Sequence, residues 1–477
     1  MKYSLFLLFF CFIIQVKSQT NYKYENFGNR SILLNGNVTG SVDDLGATYY
    51  NPARLALIED PVFAINAKVY ELIDIKIENY LFDKTDLSSS NFKGLPSMVS
   101  GTFKIKFLKN HQFAYALISR NRYEVDLSFN TDIIDNEYIN ELPEVAKYFA
   151  STNLNDRLRE NWFGLSWAKS ITSNFSLGAS LFASYYNYSG ENRDQFTSIN
   201  DLDQVTNHSY KVSFDQKSYG AFLKIGAAWV FKSIEFGLNI DLPYLEVYSE
   251  GSFYNEEVLS GSNNGIDIFS LNNLDDINAK RIFPMGISLG AGIPFKKNKL
   301  HLNLSWNSAV DTYDRLDIPP LESTTGEEVY RYKLEEKLSS IMNFGMGAEI
   351  YINPIISAYG SFSTDFSPFD IETSIIELAN KSENRVNIGT DFYHYGLGVN
   401  FGYKRVNFIL GTVYTYGNSD FLNSNDKNIF PEFLIDQIAN IKQSRWRFLI
   451  GFEILFLNRQ INVGKSTKIT KQEKDKN

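Results

Sequence analysis

From Pro61 onward the chain alternates apolar and polar residues at a period of two, in segments that reach the length a tilted membrane-crossing strand needs, about 9 to 11 residues. Fourteen strands are predicted, over 62–73, 97–107, 112–129, 161–171, 174–189, 218–231, 234–249, 283–295, 299–312, 340–352, 355–366, 392–403, 406–417 and 445–456. Short links (Leu108 to His111, Thr172-Ser173, Lys232-Ser233, Lys296 to Asn298, Asn353-Pro354, Lys404-Arg405) alternate with long ones (74–96, 130–160, 190–217, 250–282, 313–339, 367–391, 418–444). That rhythm predicts an all-β, fourteen-stranded antiparallel transmembrane barrel with short periplasmic turns and long outer loops. An even strand count puts both termini in the periplasm and the protein in the outer membrane of a Gram-negative cell.

The faces separate cleanly in several segments. In the last, Trp446, Phe448, Ile450, Phe452, Ile454 and Phe456 alternate with Arg445, Arg447, Leu449, Gly451, Glu453 and Leu455, and the first set is expected to face lipid. Tyr393, Tyr395, Leu397, Val399, Phe401 and Tyr403 do the same against His394, Gly396, Gly398, Asn400 and Gly402. A two-sheet soluble sandwich also alternates, but it does not place aromatics at both ends of nearly every apolar face.

Ahead of the strands, residues 19–61 read as a plug. Gly40, Asp43, Asp44, Gly46 and Pro52 interrupt any regular period, while Leu45, Tyr49, Tyr50, Leu55 and Leu57 supply apolar anchors. Residues 1–18 read as a secretory signal, with Lys2 at the charged end, an apolar run from Tyr3 to Val16 and Ser18 at the cut. The only cysteine, Cys11, lies in that run, so the mature chain is expected to have neither disulfides nor a thiolate site.

Composition supports the barrel. Aromatic residues make up 15% of the chain, with 38 Phe and 29 Tyr, yet no apolar run of 18 exists outside the signal, which excludes helical membrane spans. Net charge is −9, and removing Lys2 and Lys17 makes it −11, so nucleic acid is not an expected partner. The segment 457–477 has six basic against two acidic residues and reads as a polar periplasmic tail.

The inward faces mix small and apolar residues with a few charges: Lys104, Lys106, Lys224, Asp241, Glu349, Arg445, Arg447 and Glu453. One reading gives Lys104, Lys224 and Arg447 the carboxylate of an amphipathic ligand, whose tail lies along Phe182, Phe222 and Ile409. The other pairs these cations with Glu453, Glu349 or the acids of the plug. Two outer loops carry helical spacing: 139–149, with Leu142, Val145, Tyr148 and Phe149, and 431–441, with Phe433, Leu434, Ile438 and Ile441. They would either form an apolar catch groove or cap the barrel against one another. No catalytic motif, metal-ligand spacing or cofactor loop involves His111, His208, His301 or His394, so the chain reads as a non-enzyme without cofactor or metal.

The Asp43-Asp44 turn, the Tyr49-Tyr50 pair and Asn51-Pro52-Ala53 just before the first strand resemble the N-terminal hatch of the FadL/TodX family of outer-membrane hydrophobic-compound transporters. Arg54 stands where that family usually has Gly. The resemblance implies passive uptake: a hydrophobic molecule, by default a long-chain fatty acid, enters from the outer loops, reaches a lumen site, moves the hatch and leaves sideways between strands. Some fourteen-stranded relatives are instead non-transporting partners of secretion machines, in which case the loops and the basic tail would bind protein.

Overall fold

A computed structural model describes residues 21–58, 62–78, 87–105, 107–108, 110–130, 132–135, 147–261, 267–325, 329–372, 390–423 and 437–455. The expected signal peptide, Lys106, Phe456 and the tail 457–477 lie outside these residues. Fourteen strands wind into one closed antiparallel barrel. They are β1 (Val62–Glu78), β2 (Leu87–Phe103), β3 (His111–Asn130), β4 (Lys147–Ser170), β5 (Phe175–Ile199), β6 (Val205–Phe231), β7 (Ile234–Asp241 and Leu245–Ser260), β8 (Ile268–Asn278 and Gly286–Phe295), β9 (Asn298–Asn307), β10 (Ile341–Tyr351), β11 (Ile356–Asp365), β12 (Asp391–Tyr403), β13 (Val406–Asn423) and β14 (Gln437–Leu455). β1 closes on β14 from Val62↔Leu455 to Glu78↔Asn440, which joins the first strand to the last.

The lipid belt is visible in exposure. Phe163, Leu165, Leu181, Leu302, Leu397, Phe448 and Phe452 all point outward. Exposed rings mark its two rims, Tyr185, Tyr219, Tyr393 and Tyr416 above, and Phe103, Phe231, Phe295 and Tyr403 at the short-turn end.

The long outer loops expected at 130–160, 190–217 and 250–282 are in large part wall. β4, β5 and β6 run for 24, 25 and 27 residues, against 10 each for β9 and β11. The period of two persists, but its polarity inverts above the belt. In β4 the apolar residues point outward at Phe163 and Leu165 and inward at Leu158 and Leu154, with Arg157 and Arg159 exposed. In β6 Tyr219, Ile225 and Trp229 point out, and Tyr210, Val212 and Phe214 point in.

Tyr148 and Phe149 therefore belong to β4, not to a loop helix; Lys147 already pairs with Ile199 of β5. Ile438 likewise pairs with Leu422 in the β13–β14 ladder. Leu142, Val145, Phe433 and Leu434 lie outside the described residues.

Two segments fill the interior. Residues 21–58 run from the long-loop ends of β11 and β12, where Asn21 Nδ2 donates to Asp365 O and Thr390 O, down to Val62 at the short-turn end. The expected periplasmic termini fall on residues outside the described ones, and at the amino side the first described residue already lies inside the barrel. Close approach of this segment requires glycine in the wall: a Cβ on Gly237 would stand 2.1 Å from Thr39 O, and one on Gly290 would stand 2.4 Å from Gly40 N. Above it, the β9–β10 connection folds inward. Leu316, Leu321, Tyr332 and Leu334 pack with Leu154, Leu158, Tyr188, Tyr210 and Phe214, so the inverted face of the tall wall buries against this loop. Arg315 holds it there, donating to Gln216 Oε1 at 3.0 and 3.2 Å, with its guanidinium 4.5 Å from the Tyr188 ring centre.

Candidate functional site: a lumen cavity beside a parting of the wall

Asn51-Pro52-Ala53 anchors the bottom of the plug. Pro52 begins a short 3₁₀ turn (Pro52–Leu57), and the Asn51 side chain caps it by accepting from Ala53 N at 3.2 Å. The same amide donates to Thr39 O at 2.8 Å and to Ala227 O on β6 at 3.0 Å. Asp44 accepts from Ser31 N, Ser31 Oγ and Gly46 N, while Asp43 pairs with Arg30 at 3.1 Å. Arg54, the departure from the resembled motif, reaches Glu235 on β7 at 3.0 Å, and Lys299 meets the same carboxylate at 3.2 Å.

Higher up, Arg445 and Arg447 are both buried against the plug. Each donates to Tyr24 O and to the Glu25 carboxylate, Arg447 at 3.1 and 3.3 Å, and Arg445 also pairs with Glu71. Glu453 instead accepts from Asn407 at 3.0 Å, and Glu349 from Tyr359 at 3.2 Å. Of the two readings of Arg447, the geometry gives plug pairing. Lys104 is exposed beyond the end of β2 and does not face the lumen.

Between plug and wall lies a cavity of about 80 Å³. Its aromatic side is held rigidly: Trp162 stacks on Phe222 at 4.3 Å, and Phe222 contacts Tyr244 at 4.8 Å and Phe283 at 5.3 Å. Glu160 fixes Trp162 by accepting its Nε1–H at 2.8 Å, and takes further bonds from Asn121 and Arg281 at 3.0 and 2.9 Å. Lys224 lines the cavity, paired with Asp241 at 2.8 Å and centred 4.3 Å from the Tyr49 ring. Of the residues singled out in the sequence, the cavity brings together Lys224, Asp241 and Phe222 of the wall with Tyr49 and Tyr50 of the plug. Phe182 sits behind, 5.2 Å from Trp162, and Ile409 packs in the apolar cluster with the plug.

The wall parts next to this cavity. The β2–β3 ladder runs from Phe103↔Phe113 to Met98↔Ile118 and stops, although β2 stays paired to β1 and β3 to β4. Pro96, just beyond, has no N–H to give. β3 carries a bulge between Ser119 and Asn121, which aims Arg120 inward. Arg120 donates to Tyr22 O at 3.0 Å, with its guanidinium 5.6 Å from both the Tyr49 and Trp162 rings. Cavity and parting thus meet at Arg120. Sequence reasoning passed over this residue, although an arginine at an inward position beside a Pro-interrupted neighbouring strand was a signal available to it.

All four histidines lie in strands and each has an ordinary partner: His111 with Trp167 at 2.8 Å, His208 with Glu257 at 3.1 Å, His301 with Ser41 at 2.7 Å and His394 with Thr415 at 2.7 Å. Among the described residues no three His, Cys, Asp or Glu side chains group to hold a metal ion.

A closed barrel with an apolar belt, two aromatic rims and its own N-terminal segment inside is a membrane-spanning barrel of the outer-membrane type. No protein-family profile and no curated protein matches the sequence. Its fold is similar to the crystal structure of a Pseudomonas aeruginosa FadL homologue (TM-score 0.58, 12% identity, 92% of this chain and 100% of that one). It is similar also to the Pseudomonas putida toluene transporter TodX (0.54, 12%, 93% and 100%) and the Ralstonia pickettii toluene transporter TbuX (0.51, 13%, 91% and 99%). At these identities the likeness is one of fold: the FadL-type fourteen-stranded barrel.

Proposed function

We propose that this barrel is a passive channel for hydrophobic molecules, in which residues 21–58 act as the hatch and the β2–β3 parting as the lateral exit. The observation that carries this is the junction at Arg120, where an aromatic-walled cavity inside the lumen abuts the one stretch where β2 and β3 are unpaired. A molecule leaving there enters lipid and needs no fully open lumen. The fold likeness to solved hydrophobic-compound channels supports the same reading. The cavity has room for several water-sized groups at about 10–15 Å³ each. A compact ligand suits it; a long-chain fatty acid would require the plug or the inward loop to move.

The test is to tie the parting shut. Pro96→Cys with Ser119→Cys, bridged by a short bis-methanethiosulfonate, introduces the only thiols into a chain whose single cysteine lies in the leader. Uptake of a labelled hydrophobic probe is expected to fall at least tenfold and to recover on reduction. Undiminished uptake through the tied barrel would sink the lateral route.

A further inference from the structure

Unlike a slot for hydrocarbon, the cavity is polar on one side. Asn26 Nδ2, Asn239 Oδ1 and Asn303 Oδ1 are buried in its lining with no hydrogen-bond partner among the described residues, and so are Tyr22 OH and Lys23 Nζ. The lining is also rich in cations, with the acids that act on Lys23 and Arg120, Asp365 and Glu160, standing outside it. Lys224 is matched by Asp241, but neither Lys23 nor Arg120 has a carboxylate within 4 Å of its side-chain nitrogens among the described residues. Asp365, at the long-loop end of β11, accepts the backbone N–H of Lys23 at 2.9 Å instead. Glu160, on the strand beside Arg120, takes its bonds from Asn121, Trp162 and Arg281. The lining therefore holds three cations and one anion.

We infer that this cavity is a binding site for a small organic acid, whose carboxylate lies between Lys23 of the plug and Arg120 of the β3 bulge and whose aromatic or short alkyl body rests on Trp162 and Phe222. The inference rests on the channel reading and names its substrate class. A pure hydrocarbon entering the cavity would leave the ammonium, the phenol and the amides without acceptors or donors, which is how a polar site rejects an apolar isostere. A carboxylate satisfies the cations, and Lys23 remains protonated at neutral pH although burial draws its pKa down to about 8. Because Lys23 belongs to the plug and Arg120 to the wall at the parting, the bound acid bridges the two parts that must separate for passage.

The experiment is a titration of the full mature barrel in lipid nanodiscs with 4-methylbenzoate and with p-xylene, its neutral counterpart, followed by calorimetry and by tryptophan fluorescence. The acid is expected to bind at least tenfold more tightly than the hydrocarbon. Lys23→Met should erase the preference and Lys23→Arg should keep it, with far-UV circular dichroism and heat-dependent gel mobility reporting the fold. Should Lys23→Met fail to fold, Arg120→Gln is the second variant, expected to lower the preference at least fivefold. Equal affinity for both probes, or an unchanged preference in the variant, overturns the inference. Flux of each probe into proteoliposomes is measured in parallel: selective binding without flux would refute the channel and keep the site, whereas flux without acid preference would refute the site and keep the channel.

Discussion

Glu25→Ala tests what holds the plug in place. Glu25, Arg445 and Arg447 are each no more than 1% exposed, and the carboxylate accepts from both guanidinium groups. Removing it leaves two buried cations, of which Arg445 keeps its pair with Glu71. Breaking a buried ion pair from one side costs about 3–5 kcal/mol. At about 1.4 kcal/mol per decade, the plug's docked-to-undocked ratio should fall by roughly two to three and a half orders of magnitude. Native-state hydrogen exchange reads this ratio directly, because amides of residues 30–50 are protected while the plug is docked. Their exchange should accelerate by a comparable factor, while amides in β5 and β6 stay protected. Replacing both partners, Glu25→Leu with Arg447→Leu, should cost much less, since two apolar side chains need no counter-charge. If plug exchange in Glu25→Ala remains within threefold of wild type, the network does not hold the plug and the reasoning fails.

Gly237→Val, which would put a side chain 2.1 Å from Thr39 O, should expel the plug while leaving the wall ladder intact, giving open-channel conductance in planar bilayers where wild type is closed. Leu334→Ala, at a fully buried position of the inward loop, should cost about 2–5 kcal/mol, raising hydrogen exchange over 310–338 but not over 30–50. Leu397→Arg, on the outward apolar face, should destabilise the barrel by about 2–4 kcal/mol in guanidinium unfolding from vesicles; a cost below 1 kcal/mol would contradict its facing the lipid interior.

Where one face met lipid, the sequence was readable. Trp446 to Ile454 and Tyr393 to Leu397 alternate because one environment selects apolar residues along one side, and the structure puts those side chains outside. Reading stopped where that selection changed sign. In β4 and β6 the apolar residues switch faces above the belt, so Leu154 and Tyr210 look out of phase with Phe163 and Tyr219 although the strand never breaks. Tyr148 and Phe149 appeared helical for the same reason. The cavity was harder still. Lys224 and Phe222 lie on a legible strand, but Lys23, Tyr22 and Arg120 come from an irregular plug and a bulge, whose positions depend on contacts far apart in the chain, 98 residues for Arg120 to Tyr22 and 342 for Lys23 to Asp365. Arg447 was recognised as inward, and its partner Glu25 could not be, since no periodicity relates the two.

The unequal strands give the molecule a direction sideways as well as up and down. At about 3.3 Å per residue, β6 extends roughly 90 Å along its path, while β9 and β11 each end after about 33 Å. Among the described residues, one flank of the barrel thus stands like a parapet above the lipid headgroups, and the strands of the opposite flank end well below it. The β9–β10 loop leans from the low flank onto the inner face of the high one, both bracing it and roofing the vestibule. In the proposed channel, a molecule arriving over the low flank would come from the layer hugging the membrane surface, where greasy compounds collect, so the lopsided rim would bias uptake toward the near-surface surroundings over the bulk medium.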